Sequence, residues 1–247
     1  MSGAARRWLL IGNSRWHWAV DRGDGLSIDH ELPPLAALEP GLLADLVGWA
    51  AVGALPPPVL LPSQRRLQLD RVPLAGVPPW LGLDRALAGW LAWRRHGQGV
   101  LVADAGTVLS LTRVESSGRF GGGRLLAGVG LQLQAMAQGT AALPLLELPL
   151  LALPLEDGVG SARAAAIDWP MQTGRAMATG VVWGLAAAVA DAALGALEHE
   201  PGCRLVLSGG DGALLQPRLQ ELLGAHGVLV DLQPDLALEA LVELQPN

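Results

Sequence analysis

Hydrophobic residues repeat one strand-turn-strand pattern at two places along the chain. The first unit, residues 8–20, runs from an apolar stretch through Gly12 into apolar residues at every second position. The second unit, residues 99–114, does the same around Gly106. Alternation with period two predicts strands, and a glycine in the turn lets the backbone approach a ligand closely. The repeat therefore predicts a duplicated architecture in which both turns face one cleft between two lobes.

The remaining elements are predicted from helical spacing and from turn residues. The pattern predicts helices over residues 41–51, from Asp84 to Gly97, over 131–142, from Thr173, after Asp211 and from Pro234, and strands over 26–32, 55–62, 205–207 and 228–232. The glycine-dense stretch 120–130 has no predicted element, and the prolines over 143–155 predict an extended loop. This order predicts an α/β protein, with a first lobe over residues 1–98 and a second over residues 99–247.

Composition narrows the class of protein. Hydrophobic residues make up 51% of the 247, which is enough for a sizeable core. The chain has one cysteine, Cys203, so an internal disulfide is excluded and a reducing, cytoplasmic compartment is favoured. No run of about eighteen apolar residues is free of Gly, Pro and charge, so we expect no signal peptide and no membrane span. The net charge of −6 gives no indication of a nucleic-acid partner.

Phosphate chemistry in this chain has to work without lysine. All seventeen Lys-plus-Arg positions are arginine. A P-loop lysine and a Schiff-base lysine are therefore excluded, and any phosphate is bound by backbone amides, arginine, hydroxyls and metal ions.

Two carboxylates stand where ligand contacts are plausible, and each has a structural alternative. Asp104 ends the apolar run of the second unit, and Thr107 follows Gly106 with a hydroxyl. This set can hold a cation and phosphate oxygens, or it can be the polar turn of an ordinary hairpin. Asp84 stands at or near a helix N-terminus, where capping and the helix dipole alone favour a carboxylate.

Five short motifs, in order along nearly the whole chain, resemble those of the type III pantothenate kinases, members of the acetate and sugar kinase, Hsp70 and actin superfamily. The motifs are Gly12-Asn13-Ser14 for the phosphate loop D-x-G-N-[S/T], Gly82-Leu83-Asp84-Arg85 for G-x-D-R, Asp104-Ala105-Gly106-Thr107 for D-x-G-T, Gly122-Gly123 with Gly128 and then Thr140-Ala141 and Leu143-Pro144 for G-G-x-I-x-P-G and T-A-x-L-P, and Ser208-Gly209-Gly210-Asp211 for T-G-G-D. The resemblance implies two ribonuclease H-like (actin-like) lobes, each with a mixed sheet flanked by helices, and a cleft between them.

The resemblance also implies an activity and a role for each motif. The activity is ATP-dependent phosphorylation of pantothenate, in a cytoplasmic homodimer, with Mg²⁺ accompanying ATP. Asp84 is implied as the base, and Asp104 as the ligand of a monovalent cation, K⁺ or NH₄⁺. The implied pantothenate contacts are Gly82, Leu83, Asp84, Arg85 and, across the dimer, Thr173. The implied ATP contacts are Leu10, Ile11, Gly12, Asn13, Ser14, Arg15, Trp16, His17, Thr107, Gly209 and Gly210.

One departure from the family pattern leaves alternatives open. The family has an aspartate two residues before the glycine of its first loop, where it is expected to help organise magnesium, and this chain has Leu10. Leu10 favours a second hypothesis, a catalytically impaired relative that binds nucleotide or pantothenate as a regulatory protein. A third hypothesis is a kinase of the same superfamily acting on another small hydroxylated substrate, such as a sugar. The G-x-D-R motif disfavours both alternatives.

Overall fold

The computed structural model describes residues 5–34, 38, 40–53, 55, 59–146 and 169–244, which form two lobes built on two β-sheets. The strands are β1 (Arg6–Ile11), β2 (Trp16–Asp21), β3 (Leu26–Glu31), β4 (Leu46–Ala51), β5 (Val100–Ala105), β6 (Val108–Val114), β7 (Phe120–Ala127), β8 (Arg204–Ser208) and β9 (Val230–Leu232). The helices are α1 (Pro40–Ala44), α2 (Leu83–His96), α3 (Val129–Gly139), α4 (Thr173–His199), α5 (Gly212–Gly224) and α6 (Leu236–Leu244).

The two sheets share one topology. The first has the strand order β3-β2-β1-β4, and the second has the order β7-β6-β5-β8-β9. In each lobe the first two strands form an antiparallel hairpin, the third pairs antiparallel with the second, and the first pairs in parallel with a later strand, β4 or β8. The predicted duplication into two ribonuclease H-like lobes is therefore confirmed.

Two helices lie between the sheets and join the lobes. The helix α2 packs against β5 and β6 of the second sheet, while α6 packs against β1, β2 and β4 of the first, and the two helices contact each other. Buried side chains of both sheets and both helices meet there, among them Leu10 of β1, Val102 of β5, Leu87 of α2 and Leu241 of α6. The opposite face of the second sheet packs against α3, α4 and α5. The lobe boundary predicted between residues 98 and 99 stays a prediction. The helix α2 comes before that boundary, although its sheet contacts are mainly with the second sheet.

Three element predictions differ from the structure. The helix predicted over residues 41–51 ends at Ala44, and the rest is β4, since an uninterrupted apolar run suits a buried strand as well as a helix and pairing with β1 decides between them. The strand predicted over 55–62 is wrong for Leu55 and for 59–62, which lie outside any strand, while 56–58 lie outside the described residues. The glycine-dense stretch, for which no element was predicted, forms β7.

The helix predicted from Thr173 is confirmed as α4, and the extended loop predicted over 143–155 lies outside the described residues from position 147 onward. Among the described residues, one helix, α4, has the length and the apolar composition that crossing a membrane would need. One side of it is core: Met177, Leu185 and Val189 pack with the second sheet. Packing within the lobe therefore explains much of its apolar character.

Candidate active site

The turns of the two repeated units meet in space. The first turn follows β1 and closes with a hydrogen bond from the Gly12 backbone N–H to the Arg15 carbonyl at 2.9 Å. The second turn joins β5 to β6. The Ser14 and Thr107 hydroxyl oxygens, one from each turn, are 2.7 Å apart and hydrogen-bonded. The predicted cleft therefore has both turns at its mouth, with exposed hydroxyls and backbone groups that suit phosphate oxygens.

Asp104 lies near the end of β5, in a row of polar side chains. Its neighbours in register are Ser110 on β6 and Ser208 on β8, and both serines are buried. Burial, and then the nearby Asp84 carboxylate, raise the pKa of Asp104 to about 7. A cation bound there would lower that pKa, because it would stabilise the ionised carboxylate.

The residues around Asp104 fit a cation held largely by oxygens other than carboxylates. Among the described residues, no group of three or more His, Cys, Asp and Glu side chains could hold a metal ion. Gly209, at a φ of +83°, packs directly against the Asp104 carboxylate and the Ala105 carbonyl, and a Cβ there would collide with both. Carboxylate and carbonyl oxygens of this kind suit a hard cation better than a soft metal that prefers thiolate ligands.

Asp84 lies in the first turn of α2 and is held against Gly82. The N-cap of α2 is Gly82, with no side-chain capping bond, so the alternative that Asp84 is the N-cap is wrong. A Cβ on Gly82 would lie 2.6 Å from Asp84 Oδ1. That oxygen is buried and has no hydrogen-bond partner among the described residues. Burial raises the pKa of Asp84, opposed by the Arg85 backbone N–H and guanidinium.

Arg85 extends from α2 towards β6 and β7. Its Nε donates to the Thr112 hydroxyl at 3.3 Å, and one guanidinium nitrogen would be 2.7 Å from a Cβ on Gly123. Burial lowers the pKa of Arg85, and Asp84 opposes that effect. Thr112 was not among the predicted site residues, although the alternation of β6 signals it, because polar Ser110 and Thr112 alternate with buried leucines.

The late glycine pair leads into α5 beside the two turns. The Asp211 backbone N–H donates to the Ala105 carbonyl at 2.9 Å, which fixes the start of α5 against the end of β5. Burial raises the pKa of Asp211, and Arg15 of the first turn opposes that rise across the cleft. Gly210 has open space around it, so this corner can admit a ligand.

Several predicted contact residues have side chains that face the core, or lie away from the turns. Leu10, Ile11, Trp16 and Leu83 have buried side chains that belong to the core. Thr173 begins α4, which packs on the face of the second sheet opposite to the one that α2 covers. Within one chain the structure therefore does not bring Thr173 together with Asp84.

Comparison with known proteins places the chain in a family. The sequence model of the type III pantothenate kinases matches residues 65–194, more than half of the chain. A type III pantothenate kinase of Synechococcus elongatus is 37% identical over 232 residues, 87% of either chain. That of Thermosynechococcus vestitus is 39% identical over 219 residues, 87% of this chain and 79% of its own.

Among solved structures, a Baf family protein from Campylobacter jejuni superposes with a TM-score of 0.56 over 96% of both chains. Its sequence identity is 15%, so this likeness shows the fold alone. The family match and the two relatives decide the assignment, and the chain belongs to the type III pantothenate kinase family.

Proposed function

We propose that the chain phosphorylates pantothenate with ATP to give 4'-phosphopantothenate, the first step of coenzyme A biosynthesis. The observation that carries the proposal is that the turns of two motifs far apart in sequence meet through the Ser14–Thr107 hydrogen bond, beside the strand end that carries Asp104. Relatives named type III pantothenate kinase support pantothenate as the substrate.

Asp84 is the proposed general base. Its Oδ1 has no partner among the described residues, so it is free to accept the proton of a substrate hydroxyl. Because burial raises its pKa, it is a better base than an ordinary aspartate. Arg85 lies next to it and can pair with the pantothenate carboxylate, since a guanidinium binds a carboxylate through two parallel hydrogen bonds. The Gly82 and Leu83 backbone completes the proposed pantothenate site.

The first turn, residues 10–17, and Thr107 are the proposed phosphate contacts, and Gly209 and Gly210 the proposed adenosine contacts. Open backbone and two hydroxyls at the meeting point of the turns support this assignment. Mg²⁺ bound with ATP, and K⁺ or NH₄⁺ held by Asp104, would neutralise phosphate charge, which is the main requirement of phosphoryl transfer. The protein itself aligns the hydroxyl next to Asp84 with the phosphates at the turns.

We also propose a cytoplasmic homodimer built on α4. A stripe of small residues on that helix is exposed, namely Thr173, Ala176, Gly180, Gly184 and Ala187. Nothing lies within 4 Å of a Cβ added to Gly180 or Gly184. A second copy of α4 could therefore pack closely there, and Thr173 of the partner could then reach a pantothenate site that Thr173 of the same chain does not approach.

A coupled assay of ADP release tests the proposed activity directly. ATP and magnesium are supplied with pantothenate, with a sugar, or with no acceptor, in potassium and in sodium buffer. We expect ADP release that depends on pantothenate and is faster in potassium. Nucleotide binding without pantothenate-dependent turnover would instead support the regulatory hypothesis that Leu10 favours, and turnover with the sugar would support the third hypothesis.

Light scattering tests the homodimer. We expect twice the chain mass for the parent protein and a single-chain mass for Gly180→Glu, since a carboxylate would be placed in the proposed interface. The matched control is Gly224→Glu, at an exposed and equally open glycine of α5. A single-chain mass for the parent would contradict the proposal.

A further inference from the structure

Three side chains form a row across the first sheet, on the face towards α6. His17 on β2 is the cross-strand partner of Leu10 on β1 and of His30 on β3. Directly paired residues place their side chains on the same face of a sheet. Leu10 belongs to the buried cluster that also contains α6 residues, so this face looks towards the second lobe.

The row continues into the second lobe through Asp235, which precedes α6. His17 Nδ1 is 2.8 Å from His30 Nδ1, with the two rings nearly perpendicular at 73°. His30 Nε2 is 3.3 Å from Asp235 Oδ1. Asp235, His30 and His17 therefore form a row of polar contacts that crosses from one lobe to the other, with a hydrogen bond between the two histidines and an ion-pair contact between His30 and Asp235.

One assignment of the protons is compatible with both contacts of this row. An ionised Asp235 can only accept, so His30 carries its proton on Nε2. A neutral His30 then has a bare Nδ1, which must accept from a proton on Nδ1 of His17. The remaining nitrogen of a neutral His17, Nε2, is therefore a bare acceptor.

That bare nitrogen faces the first turn. A Cβ on Gly12 would lie 3.3 Å from His17 Nε2. An anionic phosphate at this turn would be repelled by the lone pair on Nε2 but would be bound by an N–H there. A phosphate oxygen placed within hydrogen-bond distance of Nε2 is therefore favoured by a proton on that nitrogen.

We propose that His30 and Asp235 are positioning residues for His17, and that His17 Nε2 takes up one proton from solvent when a nucleotide phosphate binds at the Gly12 turn and donates it in a hydrogen bond to a phosphate oxygen. The inference rests on the proposed nucleotide site, and it assigns His30 and Asp235 a role that no motif gives them. The proton moves from solvent to Nε2, and no covalent bond to phosphate forms.

Charges around the chain support proton uptake on binding rather than before it. In the free protein, burial, then His30, then Arg15 lower the pKa of His17 to about 4, so His17 is neutral near pH 7. Asp235 is the anion at the far end, and burial and Glu239 raise its pKa while His30 opposes that rise. Glu239 is itself paired with Arg95 at 2.7 Å. A bound phosphate would be a second anion in addition to Asp235, and its charge would raise the pKa of His17.

The row of His17, His30 and Asp235 is also relevant to Leu10, where this sequence differs from the family's first loop. The family's aspartate at that position would place a carboxylate directly beside His17 in the row. Here the nearest acidic end of the row is Asp235, connected through His30. The row therefore has a carboxylate from the second lobe, Asp235, and none from β1.

Calorimetric titration of magnesium-ATP into the pantothenate-free protein tests the proposal. Repeating the titration in buffers of different ionisation enthalpy, between about pH 6 and pH 8, gives the number of protons taken up, and each proton taken up steepens the fall of affinity by about tenfold per pH unit. The nucleotide's own protonation cancels in the difference between the parent and His17→Gln. We expect that difference to approach one proton at the lower pH.

Two variants test the relay, and one serves as a control. Asp235→Asn should remove at least half of the proton uptake, and His30→Gln should change the uptake by at least half a proton, while both variants melt within a few degrees of the parent. His226→Gln, at an exposed histidine beyond α5, should keep the parental uptake. Equal proton counts for the parent and His17→Gln would overturn the proposal, and parental counts for both relay variants would overturn the role of His30 and Asp235.

The same data separate this inference from the proposed function. A parent protein that gives no heat with magnesium-ATP would overturn the nucleotide site and this inference together. Normal binding with proton uptake but without pantothenate-dependent turnover would overturn only the proposed reaction.

Discussion

Replacing Asp104 with asparagine should make the free protein more stable at alkaline pH, although it removes a proposed cation ligand. Burial and Asp84 raise the pKa of Asp104 from 3.8 to about 7. The folded protein therefore holds this proton more tightly than the unfolded chain does. The resulting stabilisation is complete below about pH 4 and is lost as the pH rises through 7.

The size of the effect follows from that rise in pKa. At about 1.4 kcal/mol for each pKa unit, the charged form of Asp104 costs on the order of 4 kcal/mol at pH 8, which is an upper bound because the protein and solvent relax around the charge. Asparagine removes the charge and keeps the shape, but its amide donors can lack partners, at a cost of about 1–3 kcal/mol. We expect a net gain of about 1–3 kcal/mol, or a rise in Tm of about 2–4 °C per kcal/mol.

Thermal and urea unfolding at about pH 4.5 and pH 8, without nucleotide and with a bulky organic cation as the salt, measures this gain. The stabilisation should appear at pH 8 and shrink at pH 4.5. Asp70→Asn, at an exposed position, is the control and should change little at either pH. Potassium should raise the Tm of the parent at pH 8 and leave Asp104→Asn unchanged. An effect of Asp104→Asn that is the same at both pH values would refute the reasoning.

Three further experiments examine the catalytic geometry. Asp84→Asn should keep ATP binding and lower turnover at saturating substrates by about a hundred- to ten-thousandfold, so turnover within a few-fold of the parent would remove Asp84 as the base. Gly82→Ala should displace the Asp84 carboxylate and lower turnover by about tenfold or more with little change in Tm, while Gly53→Ala, at an open glycine, should not. In a double-mutant cycle, the changes in ATP-binding free energy caused by Ser14→Ala and Thr107→Val should be non-additive by more than about 0.5 kcal/mol. Additive changes would show that the hydrogen bond between the two side chains is absent from the nucleotide complex.

The sequence predicts those parts of the site that depend on local structure. The turns at Gly12 and Gly106 follow from an apolar run before each turn and period-two alternation after it, and the start of α2 near Asp84 follows from helical spacing. The duplicated topology follows from the repetition of one pattern, because the same local signals produce the same hairpin twice. These features needed no knowledge of tertiary contacts.

Other features depend on packing that no local pattern encodes. The strand β4 shows helical spacing and becomes a strand only because β1 offers a parallel partner. The raised pKa of Asp104 depends first on burial and then on Asp84, which belongs to α2, and α2 packs against β5 only in the folded protein. The contact of His30 with Asp235 joins residues about two hundred positions apart, and neither stands in a recognisable motif.

The crossing of α2 and α6 has a consequence for the order in which the protein can fold. The first sheet is complete in strands by Ala51, yet the helix that packs against β1, β2 and β4 is α6, residues Leu236–Leu244. During synthesis at about 5–20 residues per second, that sheet emerges from the ribosome many seconds before its covering helix exists. Until α6 is made, the face of the first sheet that carries Trp8 and Leu10 is exposed to solvent or covered by another molecule. The early half of the chain therefore keeps apolar surface uncovered until α6 is made, and such surface is prone to aggregation during synthesis.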